Sequence, residues 1–392
     1  MAQTSAYVSS PALLPPASPL AWWGRLLHAG RLAIAPSRVL TAFFLLVVLG
    51  ALIRVPDLFA AYGSDGIANT PVPSDLAAAC AEVMSEQLAG HRFIDAAQTM
   101  IVTPVALVRA HPQWTLALLL PTCILWGLLG GAISRGATVE FATGAKPTWS
   151  QTMGHAMSRW HSVALATLGP LLIVGMLLAL LPVLGKLLDV KFVQYAAGVL
   201  YVVPMLLSFI ATALVIVFII SLPMLVAGVM SEGGEAIEAC QRAFAYVLAQ
   251  PLRFGGAMLV LAGVGVGLLA VFAVFTQLAL YTSSQLSTLW VSDSARDLLQ
   301  SQMTTGQAPA LANPTTGLAI TGMLVGFWTK LALMIAPSVF LSFVFCAGSV
   351  LYLSMRQVVD GQHPRDIWDP TRGSRALVPA TTDADASDED ES

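Results

Sequence analysis

The sequence predicts an all-α fold: a helical membrane bundle of six transmembrane helices with cytoplasmic interfacial helices. Three observations carry this expectation. Hydrophobic residues make up 56% of the 392 and charged residues only 10%, against roughly 25% charged in a soluble domain. The apolar residues fall into six long runs, each near the ~20 residues that a helix needs to cross ~30 Å of hydrocarbon. Around these runs lie amphipathic stretches with helical spacing and aromatic faces, a pattern suited to resting in a membrane interface.

Residues 1–21 read as a disordered leader. Pro11, Pro15, Pro16 and Pro19 interrupt any apolar run, and no basic segment precedes them, so a signal peptide is not expected. The membrane domain then covers 22–368. Its first span is placed at about 39–55, where Val39–Ile53 is apolar without interruption and Arg38 and Arg54 can snorkel to the headgroups. An external insert, 56–113, follows; it is too long for a simple turn and carries stripes such as Leu76, Cys80, Val83 and Met84. The remaining spans are placed at about 114–133, 163–185, 205–227, 254–281 and 331–353. At the entry to the last, Lys330 with Trp328 is read as an interface anchor at the outer headgroups, because a charge in hydrocarbon costs ~2.5–3.5 kcal/mol.

The interfacial stretches are expected ahead of the odd-numbered spans. The clearest is Thr148–Trp160: Thr148 and Gln151 fit a capping box, and Trp149, Met153, Met157 and Trp160 recur on one helical face. A second begins after the Ser231–Gly234 hinge, with Ile237, Cys240, Phe244 and Val247 as its stripe. A third, weaker one precedes the first span, with Trp23, Leu26, Leu27 and Ile34 set against Arg25, His28 and Arg31. Three copies of interfacial helix, span, external connection and span would form a pseudo-repeat, although the copies share little beyond Arg159 and Arg242.

Orientation follows from the basic residues. With the N-terminus inside, twelve Lys and Arg fall on internal segments and seven on external ones, which favours N-in and C-in. Residues 369–392 end in a run of Asp and Glu that repels itself and is expected to be a disordered acidic tail. The four cysteines show no paired spacing, so neither a disulfide framework nor a zinc site is expected. Glycine pairs at GxxxG spacing, Gly127/Gly131, Gly263/Gly267 and Gly322/Gly326, are candidate helix-packing positions, since a missing side chain lets backbones approach.

Two blocks have a more specific appearance. One contains Pro223-Met224, Glu232-Gly233, Ala236, Arg242 to Val247 and Pro251-Leu252-Arg253; the other contains Tyr352-Leu353, Arg356 and Val359-Asp360-Gly361. Together they resemble an uncharacterised bacterial polytopic integral-membrane family of the planctomycete type. In that family a Pro-containing span end and an acidic-Gly hinge precede an Arg-aromatic interfacial helix. The resemblance covers roughly Trp22 to Trp368 and implies topology and a bacterial cytoplasmic (inner) membrane. It implies no activity.

The chemistry of a membrane enzyme has no residues to rest on here. His-Glu-x-x-His is absent, as are a P-loop and a rhomboid-type Gly-x-Ser-Gly. The span cores hold no Asp, Glu or His to relay protons. No catalytic, cofactor or metal residues are therefore assigned. The expected function is a non-enzymatic scaffold or accessory subunit organising partners or lipids at the cytoplasmic face. The alternative is a permease for a neutral or lipid-like solute, with Pro204, Pro223 and Pro337 as candidate helix breaks. The lipid bilayer and proteins at the cytoplasmic face are the expected partners, and nucleic acid is not.

Overall fold

In the computed structural model of the chain, the described residues are 19–56, 112–186, 194–292 and 316–368, with a few isolated positions between them. The leader up to residue 18, almost all of the external insert including Cys80, and the acidic tail lie outside the described residues.

All regular structure among the described residues is helical. The helices are α1 (Pro19–Ala33), α2 (Pro36–Ile53), α3 (Pro112–Leu125), a π-helical turn (Trp126–Gly130), α4 (Gly131–Thr143), α5 (Trp149–Lys186), α6 (Gln194–Val199), α7 (Val202–Glu232), α8 (Ala236–Ala249), α9 (Pro251–Ser287), α10 (Thr316–Leu333) and α11 (Ile335–Val359). Six helical runs are long and apolar enough to cross a membrane: Pro36–Ile53, Ala117–Thr143, Trp149–Lys186, Val202–Glu232, Pro251–Ser287 and Ile320–Val359. The protein is a multi-pass helical bundle.

Several runs outlast the expected spans. The second continues through the π turn to Thr143 because its polar residues find partners inside the bundle; Ser134 Oγ and Ser349 Oγ lie 2.8 Å apart. The expected interfacial helix Thr148–Trp160 does not lie apart from the third span but forms the first turns of α5. No Gly or Pro between Trp160 and Val163 interrupts the helix. Its predicted capping box is present: Thr148 N–H donates to Gln151 Oε1 at 3.1 Å, and Gln151 N–H donates to Thr148 Oγ1 at 3.4 Å. Pro19 to Ala21, expected in the leader, belong to α1.

One end of the bundle is tightly packed and carries most of the charge. Here α4, α5, α7 and α11 meet, α8 packs against α5, α7, α9 and α11, and α1 packs against α11 and α9. Almost every residue of α11 from Val339 to Arg356 is buried or half-buried. Towards the other end the helices separate, and α5, α7 and α9 expose long apolar faces such as Met176, Phe209 and Phe275. In lipid this costs nothing, because hydrocarbon solvates a Leu or Phe as well as another helix does. The run from Lys330 to Arg356 measures roughly 39 Å along the helix, enough to cover the hydrocarbon core with an interface at each end. Lys330 and Trp328 are both exposed.

Candidate functional site

The charged end is built from residues that the sequence scatters widely. Four arginines, Arg25, Arg38, Arg135 and Arg356, are buried there. A buried guanidinium is costly unless its donors find acceptors; here the Nη groups find them, and the acceptors include backbone carbonyls at helix ends and turns. Arg135 Nη1 donates to the Met230 carbonyl at 2.9 Å, and its Nη2 donates to the Trp368 carbonyl at 2.8 Å. Arg356 Nη2 donates to the carbonyls of Asp366 at 2.7 Å and His363 at 3.1 Å. Arg38 donates to the Leu32 carbonyl at 2.6 Å and the Gly136 carbonyl at 3.0 Å, and pairs with Glu140. Arg25 donates to Gln357 Oε1 at 2.6 Å. Each arginine thus ties two or more segments together, and the carbonyls that a helix end leaves unpaired are natural acceptors for it.

Glu232 is the hub. It closes α7, and Gly233 follows it in the left-handed region at φ 63°, which turns the chain sharply into α8. Its carboxylate accepts from Tyr352 Oη at 2.5 Å, pairs with Arg242, and lies 3.6 Å from Arg356 Nη1. Arg242 also donates to Glu238 at 2.5 Å. Beside the hub, Tyr246 donates its hydroxyl to Asp360. Burial, reinforced by that carboxylate, raises the Tyr246 phenol above its ordinary pKa, so it stays a donor. The residues quoted for the family resemblance, Glu232, Gly233, Arg242, Tyr246, Tyr352, Arg356 and Asp360, therefore meet in one network.

A short strap, 361–368, closes over this network. Gly361 opens it at φ 68°, and Trp368 is its last described residue. Trp368 N–H donates to the Ser231 carbonyl at 2.8 Å. Its ring lies over Gly233, where a Cβ would come within 2.7 Å of it. The Arg159 guanidinium stands 5.5 Å from the ring centroid, within cation–π range, and the His155 ring is 5.3 Å away.

The interface residues expected from the sequence are placed as follows. On α5, Trp149 and Met157 are exposed, and Met153 and Trp160 are half-buried; Trp149 Nε1 donates to Thr41 Oγ1 at 3.2 Å. The face of α5 that packs inward is instead the small one, Thr152, Ala156 and Val163. On α8, Ile237 is exposed, while Cys240 and Phe244 are half-buried. Cys240 Sγ donates to the Ala166 carbonyl at 3.2 Å, and burial pushes its thiol up to about 11. The inward face of α8 is Ala236, Ala239, Ala243 and Tyr246. On α1 the buried face is Trp22, Arg25, Leu26, Ala29 and Ala33, which corrects the expected assignment of Arg25 to the polar side.

The glycines divide in the same way. A Cβ on Gly127 would lie 2.7 Å from the Trp160 carbonyl oxygen, and one on Gly131 would lie 2.7 Å from Met230. Gly322 and Gly326 are buried on α10. Gly263 and Gly267 face open space, which corrects their assignment to packing; Gly265 between them takes that part against Phe343. Among the described residues no three His, Cys, Asp or Glu side chains come together as metal ligands.

No protein-family model matches the chain, and comparison with curated proteins and with solved structures gives no match either.

Proposed function

We propose that this protein is a non-enzymatic scaffold or accessory subunit of a bacterial cytoplasmic membrane. It sits N-in and C-in and organises partners or lipids through its charged end. The observation that supports this reading is the Glu232 network. It ties α7, α8 and α11 together through side chains, and Arg356 and Arg135 tie the strap to them. A rigid platform results, from whose rim Trp149, Met157, Ile237 and Leu248 point outward. Outward apolar side chains on a rigid, hydrogen-bonded base suit docking, because little conformational entropy remains to be lost on binding.

The alternative, a permease, would need space between the helices of the packed half. There the backbones are in close contact: Gly127 lies against Trp160, and Gly348 against the Pro223 carbonyl. This weighs towards the scaffold.

Photo-crosslinking in native membranes tests the reading. A benzophenone side chain at Ile237 or Leu248 is expected to yield a protein adduct of defined mass, and one at Leu259, on the outer face of α9, only lipid adducts. If Ile237 and Leu248 give no protein adduct, and the reconstituted protein passes solute above the leak of empty vesicles, the permease reading replaces this one.

A further inference from the structure

The strap is held as a protein holds a bound peptide. Four hydrogen bonds to the bundle use its main chain. The carbonyls of His363 and Asp366 accept from Arg356, the Trp368 carbonyl accepts from Arg135, and the Trp368 N–H donates to the Ser231 carbonyl. Main-chain bonds of this kind give affinity with little regard to sequence, and a side-chain pocket then supplies selectivity. The pocket here takes Trp368, whose ring sits on the bare backbone of Gly233 beside Arg159 and His155.

The bound shape is set within the segment itself. Asp366 N–H donates to the His363 carbonyl at 2.9 Å. This closes a β-turn with Pro364 at its second position, where the fixed φ of proline suits the turn. Pro364 is buried, and Ile367 packs against the core. The groove therefore fits a turn opened by proline and followed by an apolar residue and an aromatic one.

The strap leaves part of the groove unmatched. Among the described residues, His155 Nε2 and Arg356 Nε are buried without a hydrogen-bond partner, and Trp368 keeps 36% of its surface exposed. Buried polar atoms without partners weaken a contact, so a segment that brings a matching group binds here better than the strap does. Against such a segment the strap has the advantage of its tether, which raises its effective concentration at the groove.

We propose that this groove is a peptide-docking site that the strap keeps occupied in cis. Its partner is a protein segment with a proline turn and an aromatic anchor, which displaces the strap. This rests on the scaffold reading and names what docks at the charged end. The two fail separately, because the crosslinks at Ile237 and Leu248 do not depend on the groove.

Fluorescence anisotropy tests it, with a labelled octapeptide of residues 361–368, blocked at both ends and added to the full-length chain in detergent micelles. Trp368→Ala withdraws the anchor of the cis strap. That variant should bind the peptide roughly tenfold more tightly than the wild type, because self-occupancy lowers apparent affinity by the free fraction. Adding Arg159→Gln to Trp368→Ala should weaken binding about fivefold, the scale of one partly desolvated cation–π contact. A peptide that itself carries Trp368→Ala should not bind. Equal binding to the wild type and to Trp368→Ala would overturn the proposal, as would no binding to either. So would binding indifferent to Arg159→Gln, or equal binding of the alanine peptide.

Discussion

Tyr352 on α11 donates its hydroxyl to Glu232 at the end of α7, at 2.5 Å and across 120 positions of sequence. This contact joins the two blocks that the sequence singles out. Tyr246 of the first block also reaches Asp360 of the second, and the two tyrosine rings lie 5.6 Å apart. The blocks are halves of a single cluster.

Removing the hub should be costly. Glu232→Ala strips the anion from Arg356, whose side chain is only 2% exposed, and leaves the Tyr352 hydroxyl without its acceptor. A destabilisation of about 3–5 kcal/mol is expected, the scale for breaking one partner out of a buried ion pair. Reversible unfolding in mixed micelles measures it. Combining Glu232→Ala with Tyr352→Phe should cost less than the two single effects added together, as contacting residues do.

Glycine substitutions should separate by location. At Gly348 a Cβ would collide with the backbone of Pro223, so Gly348→Ala is expected to lose about 1–3 kcal/mol through overpacking. Gly263 has open space around it, and Gly263→Ala should be neutral within about 0.5 kcal/mol. Comparing the two variants by thermal inactivation in one detergent checks both figures.

Lys330→Met should insert and fold like the parent chain. The ammonium is exposed at the end of the bundle away from the charged network, and an interfacial charge gives up little hydration. Equal yields of folded protein by size-exclusion chromatography would agree with this; loss of folding would place Lys330 in a buried site.

The strap should loosen alone. Trp368→Ala removes the ring from Gly233 and from Arg159, contacts worth about 1–2 kcal/mol where desolvated. Amide exchange across 361–368 should then quicken by roughly tenfold, while exchange in the middle of α11 should hold its rate.

The six membrane-crossing helices were legible in the sequence because length and apolar content alone decide whether a helix can span. The Thr148–Gln151 cap was legible too, since it is a local pattern. The packing faces were not. Trp149, Met153, Met157 and Trp160 form the apolar stripe of the first turns of α5, yet Thr152 and Ala156 turn inward. Lipid rewards close backbone approach rather than the burial of large side chains, so the small residues carry the interface. The buried arginines were missed for another reason. Arg38, Arg135 and Arg356 counted as topology signals, and which carbonyls they serve depends on where helices end in space. Gly263 and Gly267 share the spacing of Gly127 and Gly131, but spacing does not say which neighbour faces them.

The account rests most heavily on the charged end being cytoplasmic, where partners can reach it. Cysteine labelling with a membrane-impermeant maleimide tests this directly, in a chain whose native cysteines are replaced by alanine. Gln241, exposed on α8, and Thr321, exposed on α10, are the reporter positions. Gln241→Cys should be labelled in inside-out vesicles and protected in intact cells, and Thr321→Cys should show the reverse. Labelling of Gln241→Cys in intact cells would contradict the account.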